Sequence, residues 1–161
     1  MFRQLRAILV LLSLLIAAPA QAGDPTVAYS PNDPEMNTAI DAARDSLDGF
    51  LGLYFDPATR FQAAALKIAI PADGGGAEHI YVVDIARDGR THFVGTIDND
   101  PVRLPQISLG DRYRFSRDQI SDWNYFKDGK LHGAYTLRVM LPRMAKEQAD
   151  QYRQILAPLP D

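Results

Sequence analysis

The residues of this chain with acid–base or nucleophilic potential are few: three histidines, His79, His92 and His132, a thin set of serines, and scattered carboxylates. His79 and His92 fall in segments that read as strands, so with Glu78 or Asp84 they can converge on a metal ion. No H-x-H or H-E-x-x-H spacing supports that arrangement, and exposure near turns is the expected role. Ser30, Ser46, Ser108, Ser116 and Ser121 lie outside any G-x-S-x-G frame, and position implies no base for any of them. Asp118 and Asp122 are spaced as a carboxylate pair, and general acid–base work needs two carboxyls in unequal environments. On a helical turn they would share a face; in a turn leading into a strand they would not. Within Ser116-Arg117-Asp118-Gln119 the expected task of Asp118 is to cap a turn. Gly74-Gly75-Gly76 would cradle a phosphate only at the start of a helix, and the residues after it read as a strand. The sequence therefore assigns no catalytic residue, no metal and no cofactor.

The most distinctive cluster is aromatic. Trp123, the only tryptophan, lies between Asp122 and Asn124 and is succeeded by Tyr125, Phe126 and Tyr135. Such side chains join a large apolar face to a polar tip, which suits either a core edge or a binding surface. Arg138 can neutralise a ligand anion there or pair with Asp122, and pairing is the expected outcome.

These groups must be positioned by short elements. From Pro34 to Leu53, Met36, Ile40, Ala43, Leu47, Phe50 and Leu51 fall on one face of a helix. Asn32 or Asp33 can cap it, Pro34 suits its first turn, and Asn32 with Glu35 resembles a capping box. Leu66, Ile68 and Ile70 then alternate, and a second strand runs from Ile80 to Ile85 after the glycine turn. Asp88-Gly89 signals a hairpin into His92–Ile97. A further strand covers Arg112–Phe115. Ile120–Phe126 and Leu131–Val139 flank Asp128-Gly129 as the arms of another hairpin. The second arm is ambiguous, because Tyr135, Leu137 and Val139 fit period two while Leu137, Met140, Leu141 and Met144 fit a helix. Ala145–Leu156 reads as a closing helix stopped by Pro158. Short hairpin connections favour antiparallel pairing. The expected fold class is α+β: a small antiparallel sheet of about five or six strands with an N-terminal amphipathic helix and a C-terminal helix.

Residues 1–22 read as a secretory signal peptide. Arg3 and Arg6 precede the apolar run Ala7–Ala18, and Ala20-Gln21-Ala22 offers a cleavage site before Gly23. The run is shorter than the roughly 20 residues a membrane span needs. Residues 23–33 form a Pro/Gly-rich leader and residues 34–161 one domain, so the expected location is periplasmic or secreted, with no membrane span after cleavage. Removing Arg3 and Arg6 leaves 15 basic residues against 20 acidic ones, a net charge of −5. With no Lys/Arg run, nucleic acid is excluded as an expected partner. Cysteine is absent, which rules out disulfides, thiolate chemistry and a lipid anchor on cysteine, so stability rests on packing.

Several runs resemble the bacterial family DUF2314. They are Phe115-x-x-Asp118-Gln119-Ile120-Ser121-Asp122-Trp123 and Asp128-Gly129-Lys130-Leu131-x-Gly133-x-Tyr135-Thr136-Leu137-Arg138-Val139, with weaker likeness at Glu78–Val82 and Gly95–Asn99. The resemblance spans Phe61 to about Leu156. It implies a compact α+β domain, marks Asp122, Trp123, Gly133, Tyr135, Thr136 and Arg138 as family positions, and transfers no catalytic residue.

The function these residues suggest is that of an exported, non-enzymatic binding domain whose face at Asp122, Trp123, Tyr125, Tyr135, Thr136 and Arg138 takes a protein or small ligand of unknown identity. The alternatives are a small envelope hydrolase using Asp118 or Asp122 with a histidine, and an inhibitor or immunity-type protein.

Overall fold

The first helix opens where the chain supplies both an acceptor and a residue that needs no N–H. Asp33 Oδ1 accepts from the N–H groups of Glu35 and Met36, each at 3.1 Å, and Pro34 occupies the first turn. This cap replaces the expected capping box between Asn32 and Glu35. A computed structural model describes residues 32–159; the signal peptide and nearly all of the leader expected from sequence lie outside them.

The single helix expected over 34–53 is two: α1 (Pro34–Asp45) and α2 (Leu47–Phe55). Ser46 divides them. Its hydroxyl turns back to the carbonyls of Ala42 and Ala43 at 2.9 and 3.2 Å, the local competition by which serine interrupts a helix. Gly49 and Gly52, which leave the helix end uncertain in the sequence, sit inside α2.

Six strands form one antiparallel sheet: β1 (Ala63–Pro71), β2 (Ala77–Asp88), β3 (His92–Ile97), β4 (Arg112–Ser116), β5 (Ile120–Lys127) and β6 (Lys130–Gly133), in the order β4-β3-β2-β1-β5-β6. Leu66 faces Val82 on one neighbour and Trp123 on the other, and Ile68 faces Ile80 and Ile120. Side chains alternate along a strand, so this register lays Leu66, Ile68, Ile80, Val82, Ile97, Ile120 and Trp123 on the face covered by Ala43, Leu47, Phe50 and Leu51 of the two helices. Removing each of these large side chains from water stabilises the fold by about 1.5–3 kcal/mol. The register slips between Lys67 and Ile68, where Ser121 has no partner on β1.

The ambiguous arm resolves into both states in succession. Strand β6 ends at Gly133, and Gly133 and Ala134 take φ of 70° and 54°, a left-handed turn that breaks the ladder. Helix α3 (Tyr135–Met140) comes next, with a 3₁₀ turn at Leu141–Arg143, so the period-two reading of Tyr135, Leu137 and Val139 is overturned. Helical spacing prevails because it aims Leu137 and Leu141 at Ala149 of α4 (Lys146–Ile155), closing a second small core with Ala134. The tail returns beside β6, where Leu156 bridges Leu131 and the Ala157 N–H donates to the Leu131 carbonyl at 2.9 Å. Among the described residues no helix is long and apolar enough to cross a membrane.

Candidate functional site

Asp122 is 2% exposed, and both of its oxygens are fully engaged. Oδ1 accepts from its own neighbour's amide, Trp123 N–H, at 2.8 Å and from Tyr135 N–H at 3.1 Å; Oδ2 accepts from Thr136 N–H at 2.8 Å and Thr136 Oγ1 at 2.6 Å. Three of these donors, the N–H groups of Tyr135 and Thr136 and the Thr136 hydroxyl, belong to the first turn of α3, whose own cap position, Ala134, has no side-chain acceptor. A strand carboxylate thus performs the task usually done by a local Ser or Asp, satisfying orphan N–H groups and meeting the positive end of the helix. Burial pushes the Asp122 carboxyl above its usual range, while the bonds from Thr136 and Trp123 and the Lys67 charge pull the other way.

Trp123 is 5% exposed and fixed from three sides. Its Nε1–H faces the Ala43 carbonyl at 3.0 Å and Ser46 Oγ at 3.1 Å, which ties β5 to the junction of α1 and α2. Phe50 stacks on it at 5.2 Å, Tyr125 lies nearly parallel at 6.0 Å, and Tyr135 meets it edge-on at 5.6 Å. Only glycine fits at position 133 beneath it: a Cβ there would lie 2.4 Å from the Trp123 carbonyl oxygen and 2.5 Å from its ring. Across the β5–β6 pair, Tyr125 stacks on His132 at 4.5 Å.

Arg138 pairs neither with Asp122 nor with another carboxylate among the described residues. Its Nε–H donates to the Gly133 carbonyl at 3.1 Å and its Nη2–H to the Ala157 carbonyl at 2.7 Å, so it ties the end of β6 to the C-terminal tail. Asp118 is part of the short 3₁₀ turn that Ser116 and Gln119 close as a capping box. Neither aspartate is hydrogen-bonded to a histidine among the described residues. His79 and His92 lie at opposite ends of β2's pairing, beside Ala69 and Asp88 respectively, and no group of three metal-ligand side chains occurs among the described residues.

Beside the aromatic cluster runs a groove of about 970 Å³. Phe50, Trp123, Tyr125 and Tyr135 form its floor, Leu53 and His132 flank it, and Asp45 is on its rim. Leu53 is 43% exposed. Burial raises the pKa of the Tyr125 hydroxyl, which stays a hydrogen-bond donor at neutral pH. Of the expected site residues, Trp123, Tyr125 and Tyr135 reach this groove, while Asp122, Thr136 and Arg138 are engaged inside the fold. Sequence reasoning missed Phe50, Leu53 and His132, which come from other elements; cross-strand pairing of Tyr125 with His132 was implicit in the Asp128-Gly129 hairpin. It also missed the contact of His79 Nδ1 with Ser121 Oγ at 2.8 Å. Ser121 is fully buried, so its oxygen is closed to a substrate.

Residues 33–157 match the bacterial family described as "Uncharacterized protein conserved in bacteria" (DUF2314). The chain belongs to the DUF2314 family. It is 29% identical over 153 residues to the uncharacterized protein YegJ of Escherichia coli K12, covering 92% of this chain and 97% of that protein. A putative ankyrin repeat protein of Neisseria meningitidis serogroup B is 27% identical over 138 residues, 81% of this chain and 54% of its own length. No solved structure matches. Within this DUF2314 chain, Asp122, Gly133, Thr136 and Arg138 together build the β5–β6–α3 junction.

Proposed function

We propose that this DUF2314 protein is an exported binding domain that takes an apolar segment of a partner protein, flanked by a basic residue, in the groove between α2 and the β5–β6 hairpin. The observation that carries the reading is the division of labour within the aromatic cluster. The polar groups of Asp122, Thr136 and Arg138 are engaged within the domain, whereas the groove is lined by the half-buried Tyr125 and His132 and the exposed Leu53, backed by the buried rings of Phe50, Trp123 and Tyr135. Aromatic residues in a concave, largely desolvated setting are what hot spots use. Asp45 on the rim and the net negative charge of the chain favour a cation beside the apolar anchor.

Export rests on the features of residues 1–22, and the periplasm or the medium is the proposed location. Fractionation of cells expressing the full chain is expected to yield a product beginning at Gly23 outside the cytoplasm. A product retaining Met1 in the cytoplasm would refute that part. Binding is tested with a panel of apolar nonapeptides with and without a flanking lysine, titrated against the fluorescence of Trp123. Saturation is expected for the lysine-bearing peptides, with loss of at least tenfold in affinity in Leu53→Asp and reversal of the charge preference in Asp45→Lys. Peptides that neither saturate nor distinguish Leu53→Asp from the parent would overturn the reading.

A further inference from the structure

The main chain that borders the aromatic groove is already engaged within the fold. On the sheet side, Trp123 faces Leu66 of β1, and Tyr125 stands between Ala64 of β1 and His132 of β6. The outer side of β6 is where a further strand would be added, and the C-terminal tail holds it. There the Leu131 carbonyl takes the Ala157 N–H at 2.9 Å and the Gly133 carbonyl takes Arg138 Nε–H at 3.1 Å. On the helical side, the Ala42 carbonyl accepts from the Ser46 N–H at 3.2 Å and from its hydroxyl at 2.9 Å. The Ser46 carbonyl accepts from the N–H groups of Gly49 and Phe50 at 3.1 and 3.4 Å. The indole N–H of Trp123 is held by Ala43 and Ser46. What the groove offers a ligand is therefore side chain: Leu53, the rings of Tyr125 and His132, and the Asp45 carboxylate on the rim. Asp45 makes no ion pair among the described residues.

These surroundings constrain the conformation of a bound segment. An extended segment gains its affinity by pairing with a sheet edge. Laid across a surface that offers no edge, it buries its own N–H and C=O groups without partners, which costs free energy. An α-helix brings its main-chain bonds with it and asks of its host only apolar surface. The helical wall has the matching form. Ala42, Ser46, Gly49 and Leu53 line it at intervals of four, three and four residues, the spacing against which the ridges of a second helix pack. A Cβ built on Gly49 would meet nothing within 4 Å, so this wall stands open to an incoming side chain.

We propose that the occupant of the groove is an amphipathic α-helix of a partner protein, its apolar face on Leu53, Tyr125 and His132 and a lysine or arginine turned to Asp45. Given the binding reading above, on which this rests, the partner segment carries apolar residues at i, i+3 or i+4 and i+7 rather than at alternate positions. Tyr125 and His132 lie parallel at 4.5 Å. Together they present ring surface on which the aliphatic side chains of such a helix can rest. The acidic balance of the chain, a formal net charge of −3, favours the same sign of partner as Asp45 does.

The test compares two tryptophan-free peptides of about 18 residues, long enough to hold a helix once bound, with one shared composition of Leu, Ala, Gln and Lys. In one the leucines recur at helical spacing beside a lysine; in the other they alternate. Each is titrated into the full exported chain, with Trp123 fluorescence reporting affinity and far-ultraviolet circular dichroism reporting helix gained in the complex. The helical pattern is expected to saturate at least tenfold more tightly than the alternating one and to add helical signal beyond the sum of the parts. Gly49→Leu fills the open wall with a better helix former, so its thermal stability should match or exceed that of the parent while affinity falls at least tenfold. Equal or tighter binding of the alternating peptide, a complex with no added helix, or undiminished affinity in Gly49→Leu would overturn the helical occupant. If Leu53→Asp still weakens binding in that event, the groove itself stands. Saturation by neither peptide would overturn both. Concentration-dependent self-association of the parent, lost in Leu53→Asp, would seat a second copy of the chain in the groove and overturn the assignment to a partner protein.

Discussion

Replacing Asp122 by alanine tests the junction between β5 and α3 directly. The substitution strips acceptors from three backbone N–H groups, those of Trp123, Tyr135 and Thr136, and from the Thr136 hydroxyl. Tyr135 and Thr136 are 6% and 3% exposed, so water does not readily replace the carboxylate. Each buried donor left unsatisfied costs about 1–3 kcal/mol. Relief from burying a charge offsets part of the sum, and a net loss of about 3–4 kcal/mol is expected. That is a large share of the roughly 5–15 kcal/mol of a whole domain. Asn is the informative companion: it keeps the volume and one oxygen, hence one pair of the four bonds, and a loss of about 2 kcal/mol is expected. The assay is urea unfolding tracked by Trp123 fluorescence and far-ultraviolet circular dichroism, with an unchanged m-value as the sign that the folded state is intact. Amide exchange adds a local readout, since Tyr135 and Thr136 N–H should lose protection before the strands do. An Asp122→Ala protein within about 1 kcal/mol of the parent would refute the capping argument.

The same geometry sets three further outcomes. Gly133→Ala places a methyl 2.4 Å from the Trp123 carbonyl oxygen at a φ of 70° and should destabilise by about 3 kcal/mol or more, or prevent folding, measured by thermal unfolding. Trp123→Phe keeps the ring stack but removes the indole N–H shared by the Ala43 carbonyl and Ser46 Oγ, leaving Ala43 only the Ser46 hydroxyl as a side-chain donor, an expected cost of about 1–2 kcal/mol in urea unfolding read by circular dichroism. The folded-state pKa of His79 lies below its ordinary 6.5, so the unfolded chain binds the proton more tightly; stability should fall as pH drops from about 6.5 through the lowered value, and His79→Gln should flatten that part of the pH–stability curve.

Much of the framework is legible in the sequence because its periods are clean. Leu66, Ile68 and Ile70 alternate, Asp88-Gly89 and Asp128-Gly129 both make hairpins, and the closing helix lies within one residue of its expected bounds at each end. The failures occur where a side chain far away in sequence decides the local state. Nothing near Ser46 announces that its hydroxyl will turn back on α1 and also meet the Trp123 indole. Helix α3 has no cap in its own sequence, because its cap is Asp122, and so local pattern alone makes its start look like strand. Proximity in sequence suggests a carboxylate for Arg138, yet guanidinium forks serve backbone carbonyls equally well, and two are closer at hand. At the site, Trp123, Tyr125 and Tyr135 are visible as a cluster. The groove is not, because Phe50 and Leu53 arrive from α2 and His132 from the opposite hairpin arm.

The slip in register at Ser121 bears on where this strand can change length. Ile120 and Trp123 both face the helices although two residues stand between them, an outcome closed to a regular strand, in which only alternate positions share a side. The unpaired Ser121 absorbs the odd residue. Deleting it would bring Ile120 and Trp123 to the spacing a regular strand requires, so the indole and the capping carboxylate would keep their sides and the loss would be local, chiefly the contact with His79. Deleting Asn124 instead would turn Tyr125 out of the groove and exchange the sides of every residue beyond it. Single-residue gaps in β5 thus behave like reading-frame changes in a gene, silent at one position and disruptive at the next.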